Sequence, residues 1–403
     1  MKEVQNSITP TALPTVTAEK SDFQTTENTG KFVINPQFNE PPDFSEGLAA
    51  VFMDDKMGFI DKQGKVVINP EFSRASFFRE GLAAVYIGND KSGKWGYIDK
   101  QGKMAINLQF DGFSYFSEGL AWVIIGDWDT GKRGFIDKEG KFVINPQFDR
   151  TLSFSEGLAA VRIGDDESGK WGYIDKQGKM VINPHFDSGE FFSEGLAEVR
   201  IGGKTGFVDK QGKFVINPQF SQVRWFSEGL AAVRIGVDKS AKWGFIDKQG
   251  KMVVNPQFDQ AESFAEGLAA VRIGDQHSGK WGFIDKQGKM VINPQFNTLS
   301  TYITPVGDFK EGLAAVRIGN DKSAKWGFID KQGKIVINPQ FDTAGFFSEG
   351  LATVSIGEKS GFIDKQGKFV INPQFDEAYH FWKGLAAVRV GDSQSGRWGY
   401  ISR

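Results

Sequence analysis

The sequence has no cysteine in 403 residues, which excludes disulfides, thiolate metal sites and a cysteine nucleophile. Histidine is nearly absent as well. His185, His277 and His380 occupy non-equivalent positions and show no H-x-x-x-H spacing, so neither a zinc-ligand set nor a histidine base is indicated. Long apolar runs are missing: no stretch approaches the ~18 apolar residues that a spanning helix needs. The first residues, MKEVQNSITPTALPTVTAEKSDFQTTENTG, contain no signal-peptide core. A soluble, cytoplasmic protein without a membrane partner is expected. There is no excess of one charge either. The 48 basic and 50 acidic residues are interspersed and give a net charge of −2, with no basic stripe to attract a nucleic acid. Helical periodicity is lacking, so no glycine-rich loop opens a helix to cradle phosphate, and no cofactor is indicated.

What is abundant is glycine, at 49 residues, and phenylalanine, at 37, a balance that suits short strands joined by tight turns. The glycine of a G-K-x-V-I-N-P phrase falls at Gly30, Gly64, Gly102, Gly140, Gly178, Gly212, Gly250, Gly288, Gly333 and Gly367. Spacings run from 34 to 45 residues. Ten copies therefore cover residues 30–403, preceded by a Thr-, Pro- and Ser-rich segment, 1–29, expected to be a flexible tail.

Each copy holds three strand-like phrases. In GLAAVRIG (229–236), Ala231, Val233 and Ile235 share a face only if the period is two. KWGFID and KMVVNP follow, joined by DKQGK, which fits a type I turn closed by a left-handed glycine. The Asn255-Pro256 pair is expected to end the pairing, because proline cannot donate to a ladder. One such unit cannot bury its own apolar face and needs its neighbours.

The phrase KWGFIDKQGK…VINPQF…FSEGLAAVRIG resembles the WG-repeat family. Trp95, Trp171, Trp243, Trp281, Trp326 and Trp398 carry the tryptophan, and Met57, Arg133, Thr205 and Ser360 replace it elsewhere. That resemblance implies a β-repeat architecture and no reaction. A more distant likeness is to cell-wall-binding hairpin repeats, whose aromatics cage quaternary ammonium groups. The chain departs from those in repeat length.

The expected fold is all-β: an open superhelix, or solenoid, of ten three-stranded antiparallel units, with a closed β-propeller as the alternative. The first, fifth and ninth copies lack the long loop before WG, which suggests about four repeats per turn.

An active site is needed once, whereas the Glu before GLAAV (Glu228) and the Asp of FID (Asp247) recur in almost every copy; they read as scaffold carboxylates, and no enzyme is expected. Acidic loops such as GDDESG (164–169) lack the closing Glu of a calcium loop and read as polar hairpins. The contrast lies in the five residues between PQF and FSEG, which vary freely. They are expected to line one face and to bind a protein partner through Phe77, Tyr115, Phe191, Arg224, Trp225, Tyr302, Phe346, Tyr379 and His380. A glycan held on an aromatic ladder is the second candidate.

Overall fold

The computed structural model describes residues 30–53, 55–89, 92–275, 278–297, 307–319 and 323–403. Within them every regular element is a strand and there is no helix, hence none able to cross a membrane. The strands form ten small antiparallel sheets, eight of four strands and two of three.

Blade 6 shows how the repeat makes a sheet. Its strands are Gln222–Val223, Leu230–Ile235, Lys242–Asp247 and Met252–Phe258, paired in that order. Ser227 and Leu230 exchange backbone hydrogen bonds of 2.9 and 3.1 Å around Glu228 (φ 52°) and Gly229 (φ 85°). Two successive left-handed residues define the type I′ hairpin, whose twist matches that of the strands it joins. At the next turn Gly250 (φ 79°) closes the bulge, while Asp247 Oδ1 accepts the N–H groups of Gln249 and Lys251 at 3.0 and 2.9 Å.

The Trp-Gly pair has a steric origin. Trp243 pairs with Phe258 and Phe245 with Val254, so the stretch around Asn255-Pro256 bulges across Gly244. A Cβ on Gly244 would overlap the Val254 carbonyl and come within 2.8 Å of the Pro256 nitrogen. The expectation that Asn-Pro ends the pairing is corrected here: the strand bulges at the proline, where no donor is required, and pairs again at Phe258.

The open superhelix is also corrected. Lys31–Phe38, at the start of the array, pairs with Arg397–Ser402 at its end, in the register Lys31↔Ser402, Phe32↔Ile401, Ile34↔Tyr400 and Phe38↔Trp398. The first strand therefore completes the last blade, and the array is a closed ten-bladed β-propeller. Each apolar cluster spans one blade and the next, and ten clusters for ten blades leave no free end. At the closing joint Ile34, Phe38, Trp398 and Tyr400 pack on Ala49, Val51 and Ile60.

Ten equal steps around a ring are about 36° each, which replaces the four-repeat turn. The varying repeat length misleads because loops absorb it. Ile201 and Lys204 flank a two-residue turn in blade 5, whereas Ile235 and Lys242 flank a six-residue loop in blade 6, and both pairs sit in the same register. The units are mostly four-stranded rather than three-stranded because the start of each variable segment, such as Arg150–Thr151, pairs with the GLAAV strand.

Candidate interaction surface

Antiparallel pairing sorts the turns onto two faces. Leu230 lies opposite Asp247, so the Glu-Gly turn and the Asp-Lys-Gln-Gly-Lys turn share one end of each blade, while the loops before Trp-Gly lie at the other. The variable segment crosses from the loop end to the turn end. Its last residue precedes a buried phenylalanine (Phe78, Phe116, Phe154, Phe192, Phe264, Phe309, Phe347 or Phe381) that anchors the chain in the core.

The expected binding residues divide into three groups. Phe191, Trp225, Phe346 and Tyr379 are exposed, at 38%, 52%, 41% and 46%. Phe77 and Tyr115, from adjacent blades, stack with ring centroids 4.0 Å apart, and Phe346 leans on His380 at 4.6 Å. Burial pushes the His380 imidazole down in pKa, with Glu349 partly opposing, so it is neutral near pH 7. Arg224 is a brace: it donates to the Ala261 carbonyl at 2.7 Å, pairs with Glu262 at 2.8 Å and lies over Trp243 at 5.5 Å. Tyr302 and His277 lie outside the described residues. The repeat tryptophans face the joints. Trp243, Trp281, Trp326 and Trp398 are at most 7% exposed, which leaves those four unavailable as a sugar-stacking ladder.

The repeated carboxylates bind the ring together. Glu228 Oε2 accepts the N–H of Gly267 in the next blade at 3.0 Å and pairs with Lys286 of that blade at 3.0 Å. Burial alone would raise its pKa, but the Lys286 and Gly267 contacts outweigh this and hold the carboxyl below the usual range. On the loop face Asp259 pairs with Lys242 at 2.5 Å and accepts the N–H of Gly274 at 2.8 Å. Among the described residues no group of three or more acidic or histidine side chains is placed to hold a metal.

Two joints carry replacements that come with a cavity or a cleft. Between blades 5 and 6, Thr205 replaces the tryptophan and Glu198 replaces the usual alanine. A polar cavity of about 500 Å³ opens there, lined by Glu198, Arg200, Thr205, Arg224 and Trp243. Burial, then the charge of Glu190, pushes the Glu198 carboxyl up to about 7 against a smaller opposing effect of Arg200. At the closing seam a cleft of about 370 Å³ is lined by residues that include Asp43, Lys62, Trp382, Lys383 and Tyr400. Trp382 is 61% exposed. The seam residues Asp43, Lys62, Trp382 and Lys383 were not among the expected binding residues. Their signal in the sequence is F-W-K-G-L (381–385) in place of F-S-E-G-L.

A search of curated proteins finds no match. Among solved structures the chain is similar to a eukaryotic initiation factor at 11% identity, covering 75% of this chain and 86% of that one, with a TM-score of 0.47. It is also similar to a tricorn protease at 12% identity, over 89% of this chain and 41% of that one, with a TM-score of 0.25. A likeness to prolyl endopeptidases, at 11% identity, covers 72% of this chain and 53% of theirs, with a TM-score of 0.35. At these scores none of the three informs function. The model of the WG containing repeat, in contrast, matches ten segments: 28–56, 57–91, 95–127, 134–165, 171–204, 206–236, 243–276, 281–321, 326–359 and 361–393. These matches run almost the length of the ring, and the chain belongs to the WG-containing repeat family.

Proposed function

We propose that this protein is a non-catalytic scaffold that binds a protein partner across its turn face. The supporting observation is the contrast between framework and insert. Turns and joints repeat almost unchanged, yet Phe191, Trp225 and Phe346 expose large apolar side chains on three blades, and Tyr379 and Trp382 do so on the last. Exposed aromatics are the usual anchors of protein interfaces. Phe52 and Trp128 are exposed near the loop end and are not part of this surface. The repeated carboxylates are occupied by backbone N–H groups and lysines, in keeping with a scaffold role.

The test is a triple variant, Phe191→Ala, Trp225→Ala and Phe346→Ala, compared with the parent by cross-linking in lysate of the source cell and mass spectrometry. Arg224 is left intact because its loss would unpair Glu262. The variant is expected to keep its melting temperature and lose the cross-linked partner. An unchanged set of cross-linked proteins would refute the assignment.

A further inference from the structure

The ring contains its own template for a carboxylate ligand. At seven joints a glutamate both accepts the N–H of the next blade's turn glycine and pairs with that blade's lysine; Glu46 with Gly81 and Lys100, and Glu266 with Gly312 and Lys331, are examples. Glycine N–H and lysine ammonium converge on one carboxylate, an arrangement stronger than either contact alone.

The closing joint has the donors and lacks the acceptor. Its glycine is Gly47 and its lysine is Lys62, but the glutamate position holds Lys383. Lys62 Nζ donates to the Lys383 carbonyl at 3.2 Å, and among the described residues neither lysine has a carboxylate partner. Gly47 is exposed and its N–H has no acceptor among the described residues. Two ammonium groups thus stand where every preceding joint places an anion. Both lysines line the 370 Å³ cleft, together with the aromatic Phe44, Tyr379, Trp382 and Tyr400 and the carboxylate of Asp43. That volume admits one large side chain and its neighbours rather than a folded domain.

We infer that the seam between the first and last blades binds an acidic-aromatic peptide segment of a partner protein. The carboxylate of its Asp or Glu occupies the position left by the absent glutamate, between Lys62, Lys383 and the Gly47 N–H. An adjacent aromatic side chain enters the cleft against Trp382 and Tyr379. This rests on the scaffold reading and gives it a chemical specificity. Charge complementarity selects the occupant, because an uncharged or basic segment would leave both ammonium groups, that of Lys383 lying over the Trp382 ring at 5.8 Å, without a carboxylate.

The probe is the peptide acetyl-Ser-Phe-Glu-Phe-Ser-amide, titrated into the full chain by ligand-observed NMR, with the Gln-containing peptide as control. The acidic peptide is expected to bind about tenfold more tightly than the control. Lys383→Glu supplies the missing carboxylate from within. It is expected to raise the melting temperature slightly, by about 1 °C, and to abolish the preference for the acidic peptide. Lys62→Met is expected to abolish the preference without that stabilisation. Equal binding of the two peptides, an unaltered preference in Lys383→Glu, or equal displacement by inorganic phosphate would each overturn the inference. If Lys383→Glu still cross-links the cellular partner while the Phe191, Trp225 and Phe346 triple variant does not, the seam inference fails and the scaffold reading stands. If no variant changes the cross-linked set, both fail.

Discussion

At the scale of the residue, the useful signals are departures from the repeat. Recurrence points to Glu228 and Asp247 as groups that serve the blade, and both accept backbone N–H groups of turns. It could not say what a substitution exposes. Lys383 is visible in the sequence as a replaced glutamate, but its meaning depends on Gly47 and Lys62, which only ring closure brings near it. Glu198 is similar: an acid where other blades mostly carry alanine, in a cavity opened by Thr205. Its carboxyl titrates near 7 in the folded chain against an ordinary value near 4.3, so the folded state holds the proton more tightly. The stability this confers is full below about pH 4 and is lost as pH rises through 7. Glu198→Gln should therefore be more stable than the parent at pH 8, by roughly 1–2 kcal/mol after allowing for partial exposure, and equal to it near pH 4. Urea titrations at the two pH values read this directly, and an equal difference at both would refute the assignment.

At the scale of the element, the three long strands were legible because each alternates with period two between recognisable turns. The fourth was not. Two residues such as Gln222–Val223 cannot show an alternation, and their pairing is set by the neighbouring GLAAV strand rather than by their own sequence. Loop length is legible but does not set curvature, since two-residue and six-residue loops leave the flanking strands in the same register. This can be tested by grafting. Replacing Gly202-Gly203 with the 236–241 sequence GVDKSA should shift the melting temperature by no more than about 2 °C, because lengthening a surface loop costs little closure entropy. Calorimetry showing a collapse of stability would restore loop length as a geometric determinant.

At the scale of the whole molecule, closure was legible only as an alternative, because the sequence places its matching strands at opposite ends and no local rule pairs them. Lys31–Phe38 buries Ile34 and Phe38 in the last joint. A chain beginning after residue 38 should lose about 5–10 kcal/mol, as expected for deleting two large core side chains. The free peptide KFVINPQF should restore much of the loss, followed by the rise in melting temperature with peptide concentration. If the shortened chain keeps its melting temperature, the seam contributes nothing. The same eight letters, however, stand at 31–38, 141–148, 213–220 and 368–375. The strand that must find the final blade thus carries no unique address. While the chain is still folding it fits other acceptors equally well, including the last blade of a second molecule, and the correct partner is distinguished by vacancy alone. Refolding yield should therefore fall as protein concentration rises, with interlocked dimers as the by-product.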